Sequence, residues 1–378
     1  MIFDAESQAV LDLVRKFVDN EIIPNVGEYE KDDIFPEEIL DKACAMGLNT
    51  LCMGEKYGGV DMSNQLQFAI AEEVARGDIG IGTTLIANCL ASYPVLLSGT
   101  EEQKQLWFDT IKEKKYAAFC LTEPNAGSDA GSVRTTAVLD GDEYILNGTK
   151  CFISNGPIAG IYTVLASTKK EAGIMGLTAF IVERDREGVL IGKEEDKMGM
   201  RLSKTSEVIF DNVRVPKDHV LGKVNRGFRI ILQTLDHSRA GVGAFGVGIG
   251  QRCVEEATRY AKQRVQFGQP VFNFQSVQNI LAEMEMNVQA GRQLYLHAAQ
   301  LMDEGKSFTL ESACAKAFGT NTGMKCAVDG VQVMGGYGYM KEYPMEKLMR
   351  DAKILQIYEG TNQIQLGVIA NGLVKKYR

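Results

Sequence analysis

The chain has 378 residues, 45% of them hydrophobic and 24% charged, with a formal net charge of -8 and a pI near 5.2. A surface this acidic does not offset repulsion from phosphate, which argues against a general nucleic-acid or anionic-membrane binder and leaves acidic small ligands to local Lys and Arg. The eight cysteines form no C-x-x-C pair and do not cluster with the three histidines, so reduced structural thiols are expected and no metal site.

The opening "MIFDAESQAVLDLVRKF" lacks the basic stretch, apolar run and small-residue cleavage site of a secretory signal. No apolar run reaches the roughly 18 residues of a membrane span. The expectation is a bacterial cytoplasmic chain, or a mature organellar chain whose presequence has been removed.

From residue 5 to about 115 the pattern is helical, with Val10, Leu11, Val14, Phe17 and Val18 on one face and the same spacing in "PEEILDKACAMGL" and "NQLQFAIAEEVAR". At Tyr116 the character changes. "TTAVLDGDEYILNGTKCFIS", "IYTVLAS", "LTAFIVER" and "SEVIFDNVRVP" are short runs rich in β-branched and aromatic residues, and the pairs Asp140-Gly141 and Asn147-Gly148 read as tight hairpins. After Gly227 helical periodicity returns, with segments near 228–262, 272–304, 308–331 and 344–353. The expected organisation is an N-terminal helical domain (1–115), a central antiparallel β barrel or sandwich (116–226) and a C-terminal helical bundle (227–378), packed as one body.

"RAGVGAFGVGIGQ", residues 239–251, contains the dinucleotide spacing G-x-G-x-x-G from Gly241 to Gly246. That fingerprint needs a strand before it, a helix after it and an acidic residue about twenty positions on. That context is not present: Leu235, Val242, Phe245, Ile249, Cys253, Ala257 and Tyr260 keep a helical period straight through the glycines, as in the middle of one long helix. Each glycine costs a helix about 1 kcal/mol against alanine, so the run is read as a place where another backbone or a ligand comes close, with helix packing the preferred reading.

Two other stretches offer chemistry. "FCLTEPNAGSDAG" (119–131) ends a strand in a loop of backbone N–H groups and hydroxyls suited to a polar ring or phosphate. "QIYEGTNQIQ" (356–365) sets Glu359 between Tyr358 and Gly360 just past a helix. With "LNGTKCFISNG", "MGMRLSKTSEVIFDNVRVP", "YAKQRVQFGQP", "QVMGGYGY" and "EYPMEKLMRDAKILQIYEGTNQIQ", the first stretch makes six motifs in an order and spacing over the whole chain that resemble the acyl-CoA dehydrogenase family.

The resemblance implies that family's fold, a helical domain, a β domain and a four-helix bundle, and a bound FAD. It implies that Phe119, Leu121, Thr122, Gly127 and Ser128 lie along the flavin, with Thr122 on the pyrimidine edge, and that Phe152, Ile153 and Ser154 supply a residue flanking the ring and a hydroxyl near N5. Arg264, Phe267, Gln275, Gln332 and Gly336 would hold the pyrophosphate and adenosine, many of them from a neighbouring subunit, with Thr361 and Gln363 completing the site. Sharing of this kind implies an oligomer, a dimer of dimers. Phe152 stands where the family often has Trp, Ser154 where it often has Thr, and Asn125 where Gly is common.

The reaction so implied removes the α proton of an acyl thioester and passes a β hydrogen as hydride to the flavin, with electrons going on to an electron-transferring flavoprotein. Glu359 matches the base. The family's alternative base position is held by Ser238, which leaves Glu359 alone in that role. Asp236, Ser238, Arg239, Ser128 and Gly360 match residues on the pantetheine side; Arg239 reads equally as a structural ion-pair partner, and His237 as a packing or surface residue. Ala91 and the glycines from 241 to 250 are expected to leave room for a short or medium acyl chain. Branched, cyclic or dicarboxylic acyl-CoA is the alternative, and a catalytically inactive FAD- or acyl-CoA-binding scaffold is the alternative from another class.

Overall fold

The computed structural model describes residues 3–377. Helices come first: α1 (Ala5–Phe17), extended by a π-helical turn at Val18–Ile22, then α2 (Val26–Asp32), α3 (Glu37–Ala45), α4 (Asn64–Gly77), α5 (Ile79–Ser98) and α6 (Glu101–Lys114). Their starts follow local chemistry. Asp4, Ser63, Asp78 and Thr100 each cap a helix by accepting a backbone N–H from its first turn, and Gln103 returns the favour to Thr100. α5 is 20 residues long with a mean hydropathy of 1.4, long and apolar enough to cross a membrane, which the run-length expectation did not credit. Its apolar residues are instead mostly buried within the protein, against β1, β4 and α7.

The strands follow: β1 (Ala117–Cys120), β2 (Thr136–Asp140), β3 (Glu143–Ser154), β4 (Ile161–Ser167), β5 (Leu177–Glu183), β6 (Val189–Glu194), β7 (Thr205–Pro216) and β8 (Val220–Leu221) form one sheet in the order β6-β7-β3-β2-β4-β5-β8, with β1 beside β4. Most pairs are antiparallel, but β1 and β2 both meet β4 in parallel. The sheet curls so that Ala118, Leu146, Tyr162, Phe180, Val208 and Phe210 share one interior.

Only one of the two expected hairpins forms. Asp140 pairs with Glu143, so Gly141 and Asp142 make the turn. Asn147-Gly148 lies inside β3, at an irregularity in its pairing with β7. The Asn147 side chain accepts from Asn212 N at 2.9 Å across that irregularity. A Cβ on Gly148 would meet Thr135 Oγ1 at 2.4 Å, so close approach of a neighbouring segment, rather than a turn, requires the glycine.

The second helical part contains α7 (Gly227–Gln263), a two-stranded ribbon of β9 (Val265–Gln266) and β10 (Gln269–Pro270), α8 (Gln275–Asp303), α9 (Thr309–Met334), α10 (Met345–Leu355) and α11 (Asn362–Lys376). The glycine run lies in the middle of α7, where Gly243, Gly246 and Gly248 face backbone, while Gly241 and Gly250 face the side chains of Phe68 and Val288. A Cβ on Gly246 would stand 2.2 Å from Gly319 O, one on Gly319 2.4 Å from Gly243 O, and one on Gly248 2.3 Å from Glu72 O. These glycines therefore let α7 press against α9 and α4. They do not leave an open wall for an acyl chain, and Ala91, likewise buried, accepts a hydrogen bond from Thr163 through its carbonyl.

Candidate active site

The expected site residues fall into three groups. The first lies where β1 and β3 end side by side. Cys151 N donates to Thr122 O at 2.9 Å, and the buried Lys150 ammonium bonds Leu121 O at 3.0 Å, Leu165 O at 2.7 Å and the Glu123 carboxylate at 2.7 Å. Glu123 also accepts from Arg134 N at 2.7 Å and Thr135 N at 3.0 Å. The loop from 121 to 128 is thus pinned from beneath while its outer side stays open: Gly127 and Ser128 are exposed, and nothing lies within 4 Å of where a Gly127 Cβ would be. Phe119 is half-buried, Leu121 and Ile153 are buried, and the half-buried Thr122 and Ser154 carry hydroxyls that bond nothing among the described residues. Phe152 stands 65% exposed.

The second group gathers where α7 and α9 end. Arg264 lies over the Tyr337 ring at 5.4 Å and, with Gly335, Gly336 and Tyr260, lines a cleft of about 410 Å³. Phe267 projects 93% exposed from the tip of the β9–β10 ribbon. Gln275 opens α8, and Gln332 is exposed near the end of α9.

The third group surrounds Glu359, between α10 and α11. Ser238, buried on α7, donates its hydroxyl to the Glu359 carboxylate. Arg239 approaches the Glu359 carbonyl with Nε at 3.5 Å and pairs through Nη1 with Asp236 at 2.8 Å. Thr309 donates to the same Asp236 carboxylate at 2.9 Å, so Arg239 sits beside the base and is also an ion-pair partner. Burial pushes the Glu359 carboxyl above its ordinary value, against the opposing pull of Ser238, Lys316 and Arg239. Its amide N–H donates to no group among the described residues. His237 stacks on Tyr93 at 5.3 Å and meets the Phe308 ring edge-on at 4.7 Å, and burial pushes it down. It is a packing residue. Thr361 caps α11 by accepting from Ile364 N at 3.3 Å, and Gln363 is exposed in the first turn of that helix.

Sequence reasoning missed Lys316, Asn362, Gln365 and Tyr93, which stand around the same turn. A lysine among Ala, Cys and Gly in "ESACAKAFGT" was the available signal, because a buried lysine needs partners. Backbone strain marks the site independently. Among the nine described non-glycine residues with positive φ are Phe152 (58°), Phe267 (51°) and Glu359 (53°), one from each group. Bulky side chains adopt this conformation rarely, and when they do it is often at functional positions.

Three family models match consecutive parts of the chain: the acyl-CoA dehydrogenase N-terminal domain over residues 4–114, the middle domain over 118–213 and the C-terminal domain over 225–374. The chain belongs to the acyl-CoA dehydrogenase family. This acyl-CoA dehydrogenase is 43% identical over 374 residues to the short-chain specific acyl-CoA dehydrogenase of Megasphaera elsdenii, covering 97% of this chain and 98% of that one. It is also 43% identical over 377 residues to a 3-(aryl)acrylate reductase of Clostridium sporogenes, covering 99% and 100%. Among solved structures, it superposes with a TM-score of 0.96 and 42% identity on a chain from the structure reported for the electron transferring flavoprotein of Acidaminococcus fermentans, with 99% of each chain covered.

The protein is an oxidoreductase of the acyl-CoA dehydrogenase type and uses FAD. The first group fits that cofactor: an exposed aromatic beside two uncommitted hydroxyls, above a rigid loop whose glycine leaves its backbone accessible, suits a planar ring with a polar edge.

Proposed function

We propose that this enzyme removes the α and β hydrogens of a short- or medium-chain acyl-CoA to give the trans-2-enoyl-CoA, with Glu359 as the base and an electron-transferring flavoprotein as the acceptor. The observation that carries the reading is the half-buried Glu359 carboxylate, held by Ser238 on a strained turn beside its own uncommitted amide N–H. A free carboxylate is far too weak a base for an α proton. Burial raises its basicity, and the Glu359 amide is free to bond the thioester oxygen as that oxygen gains charge; one such donor is worth about 3–4 kcal/mol. Thr122 and Ser154 would hold the flavin's polar edge and Phe152 would flank its ring. The FAD, when bound, supplies the acceptor for the β hydrogen.

Arg239 lies on α7 and Arg264 is the C-terminal cap of the same helix, 25 residues on, so about 37 Å of helix axis separates the base from the second group. A single FAD cannot extend from the ring to the adenosine over that distance. The separation supports the reading that the second group holds a cofactor whose flavin lies in a neighbouring subunit, as a dimer of dimers allows. The short-chain relative supports the substrate class, and the structure reported for an electron transferring flavoprotein supports the acceptor.

The test is anaerobic addition of straight, branched, cyclic and dicarboxylic acyl-CoAs to the purified yellow enzyme. Bleaching of the flavin by butyryl- to octanoyl-CoA is expected. Bleaching by another class alone would replace the substrate assignment, and an oxidised flavin with every member of the panel would overturn the reaction in favour of a binding scaffold.

A further inference from the structure

Glu359 (φ 53°) and Gly360 (φ 91°) form two successive left-handed residues, a conformation that the surrounding contacts must hold. Three elements do so. Arg239 of α7 approaches the Glu359 carbonyl; Gln365 of α11 donates to Gly360 O at 3.0 Å and reaches Glu359 O at 3.4 Å; and Lys316 of α9 donates to Gly360 O at 2.9 Å. Lys316 is completely buried, and its other bond goes to Asn362 Oδ1 at 2.9 Å. Asn362 is fixed in turn by Thr320 Oγ1 at 3.0 Å and Asn321 Oδ1 at 2.8 Å. Among the described residues, Lys316 has no carboxylate within salt-bridge distance. Burying an ammonium in this way is costly, and a methionine of similar length would fill the space more cheaply.

We propose that Lys316 is a positioning residue for the base: its ammonium fixes the Glu359–Gly360 turn through the Gly360 carbonyl, and its charge favours the ionised Glu359 carboxylate. The inference rests on Glu359 being the base. The groups facing Glu359 are Ser238 and Arg239 from α7, Lys316 from α9, Tyr93 from α5 and Tyr358 from its own segment. Burial lowers Lys316 to about 8, whereas a guanidinium keeps its charge throughout the working range. A neutral residue at 316 removes one of two cations facing the carboxylate, so protonation of the base reaches to higher pH.

The experiment is stopped-flow flavin reduction by butyryl-CoA as a function of pH in the FAD-loaded enzyme, comparing Lys316→Gln, Lys316→Arg, Asn362→Asp and Glu359→Gln, with the Kd of a non-reacting thioether analogue measured alongside. Lys316→Gln keeps a hydrogen-bond donor without the charge, and its acid limb should move up by about one pH unit, with about a tenfold loss of rate at pH 6 and an unchanged Kd. Asn362→Asp sets a carboxylate on the ammonium and should move the limb the same way, while Lys316→Arg keeps the wild-type limb. Wild-type limbs in both Lys316→Gln and Asn362→Asp would overturn the proposal, and so would failure of both to accumulate as FAD-loaded protein, since the role would then be structural. Flavin reduction that persists in Glu359→Gln would instead overturn the assignment of the base, an outcome that the Lys316 variants do not mimic.

Discussion

Ser238 and Glu359 are 121 positions apart, and their contact is the arrangement on which the chemistry turns. A hydroxyl donating to a carboxylate favours its ionised form, so Ser238 opposes the upward push of burial. Ser238→Ala should raise the acid limb of kcat/KM. A hydrogen bond to a charged group is worth about 1.5 kcal/mol or more, so the variant should lose about tenfold in kcat/KM at a pH below that limb and converge on the wild type well above it. A uniform loss at all pH values would mean that the hydroxyl contacts substrate and does not tune the base. Glu359 was legible in the sequence because it stands in the last of the six motifs, and Ser238 because it holds the family's alternative base position. The roles of Lys316, Asn362 and Gln365 were not legible, because Lys316 and Gln365 act by bonding the carbonyl of Gly360 and Asn362 by holding Lys316, and no residue pattern encodes which lysine reaches which carbonyl.

At the scale of elements, α7 carries Ser238 and Arg239 and α9 carries Lys316, so the seam between these helices sets the geometry of the base. Glycines on both sides build it, Gly243 and Gly246 against Ala315 and Gly319, and Gly323 against Gly246. The 3.6 period was strong enough to carry the helix through the glycines, which is why a dinucleotide loop could be rejected on sequence. The Asn147-Gly148 hairpin was misread because the same dipeptide serves a tight turn and a pairing irregularity, and only the partner strand β7 distinguishes them. Gly246→Ala would put a methyl 2.2 Å from Gly319 O, where backbone on both sides has to move. It should destabilise the fold by about 1–3 kcal/mol and lower kcat as Ser238 and Lys316 shift apart. Gly367→Ala on α11, with nothing within 4 Å, is the control: thermal melting should show it neutral or stabilised by up to about 1 kcal/mol. Equal effects from the two substitutions would show that helix propensity, and not the seam, governs Gly246.

The whole molecule is joined at a buried ionic knot where all three parts meet. Lys347 of α10 pairs with Asp78, the cap of α5, and with Asp351 at 2.6 Å; Asp351 accepts from Met200 N, in the segment between β6 and β7, at 2.6 Å. Next to it Arg350 holds Glu30 of α2 and Met198 O, both at 2.9 Å. Despite burial, its carboxylate neighbours hold the Lys347 ammonium well above the ordinary lysine value. The contribution of the Lys347 charge to stability is therefore fully present below the ordinary lysine range and is lost only as pH rises beyond it, so that contribution does not change between pH 5 and 9. Lys347→Met changes this. Asp78 and Asp351 would remain buried without their lysine, which costs about 3–5 kcal/mol and on the order of 10 °C in Tm. Two buried carboxyls without that counter-charge titrate above their ordinary range, where the folded state binds more protons than the unfolded one, so the loss should grow as pH rises. Thermal melting at pH 5 and pH 8 reads the difference directly. The variant should lie closer to the wild type at pH 5, and a deficit that is the same at both values would mean that Lys347 acts through packing and not through its charge.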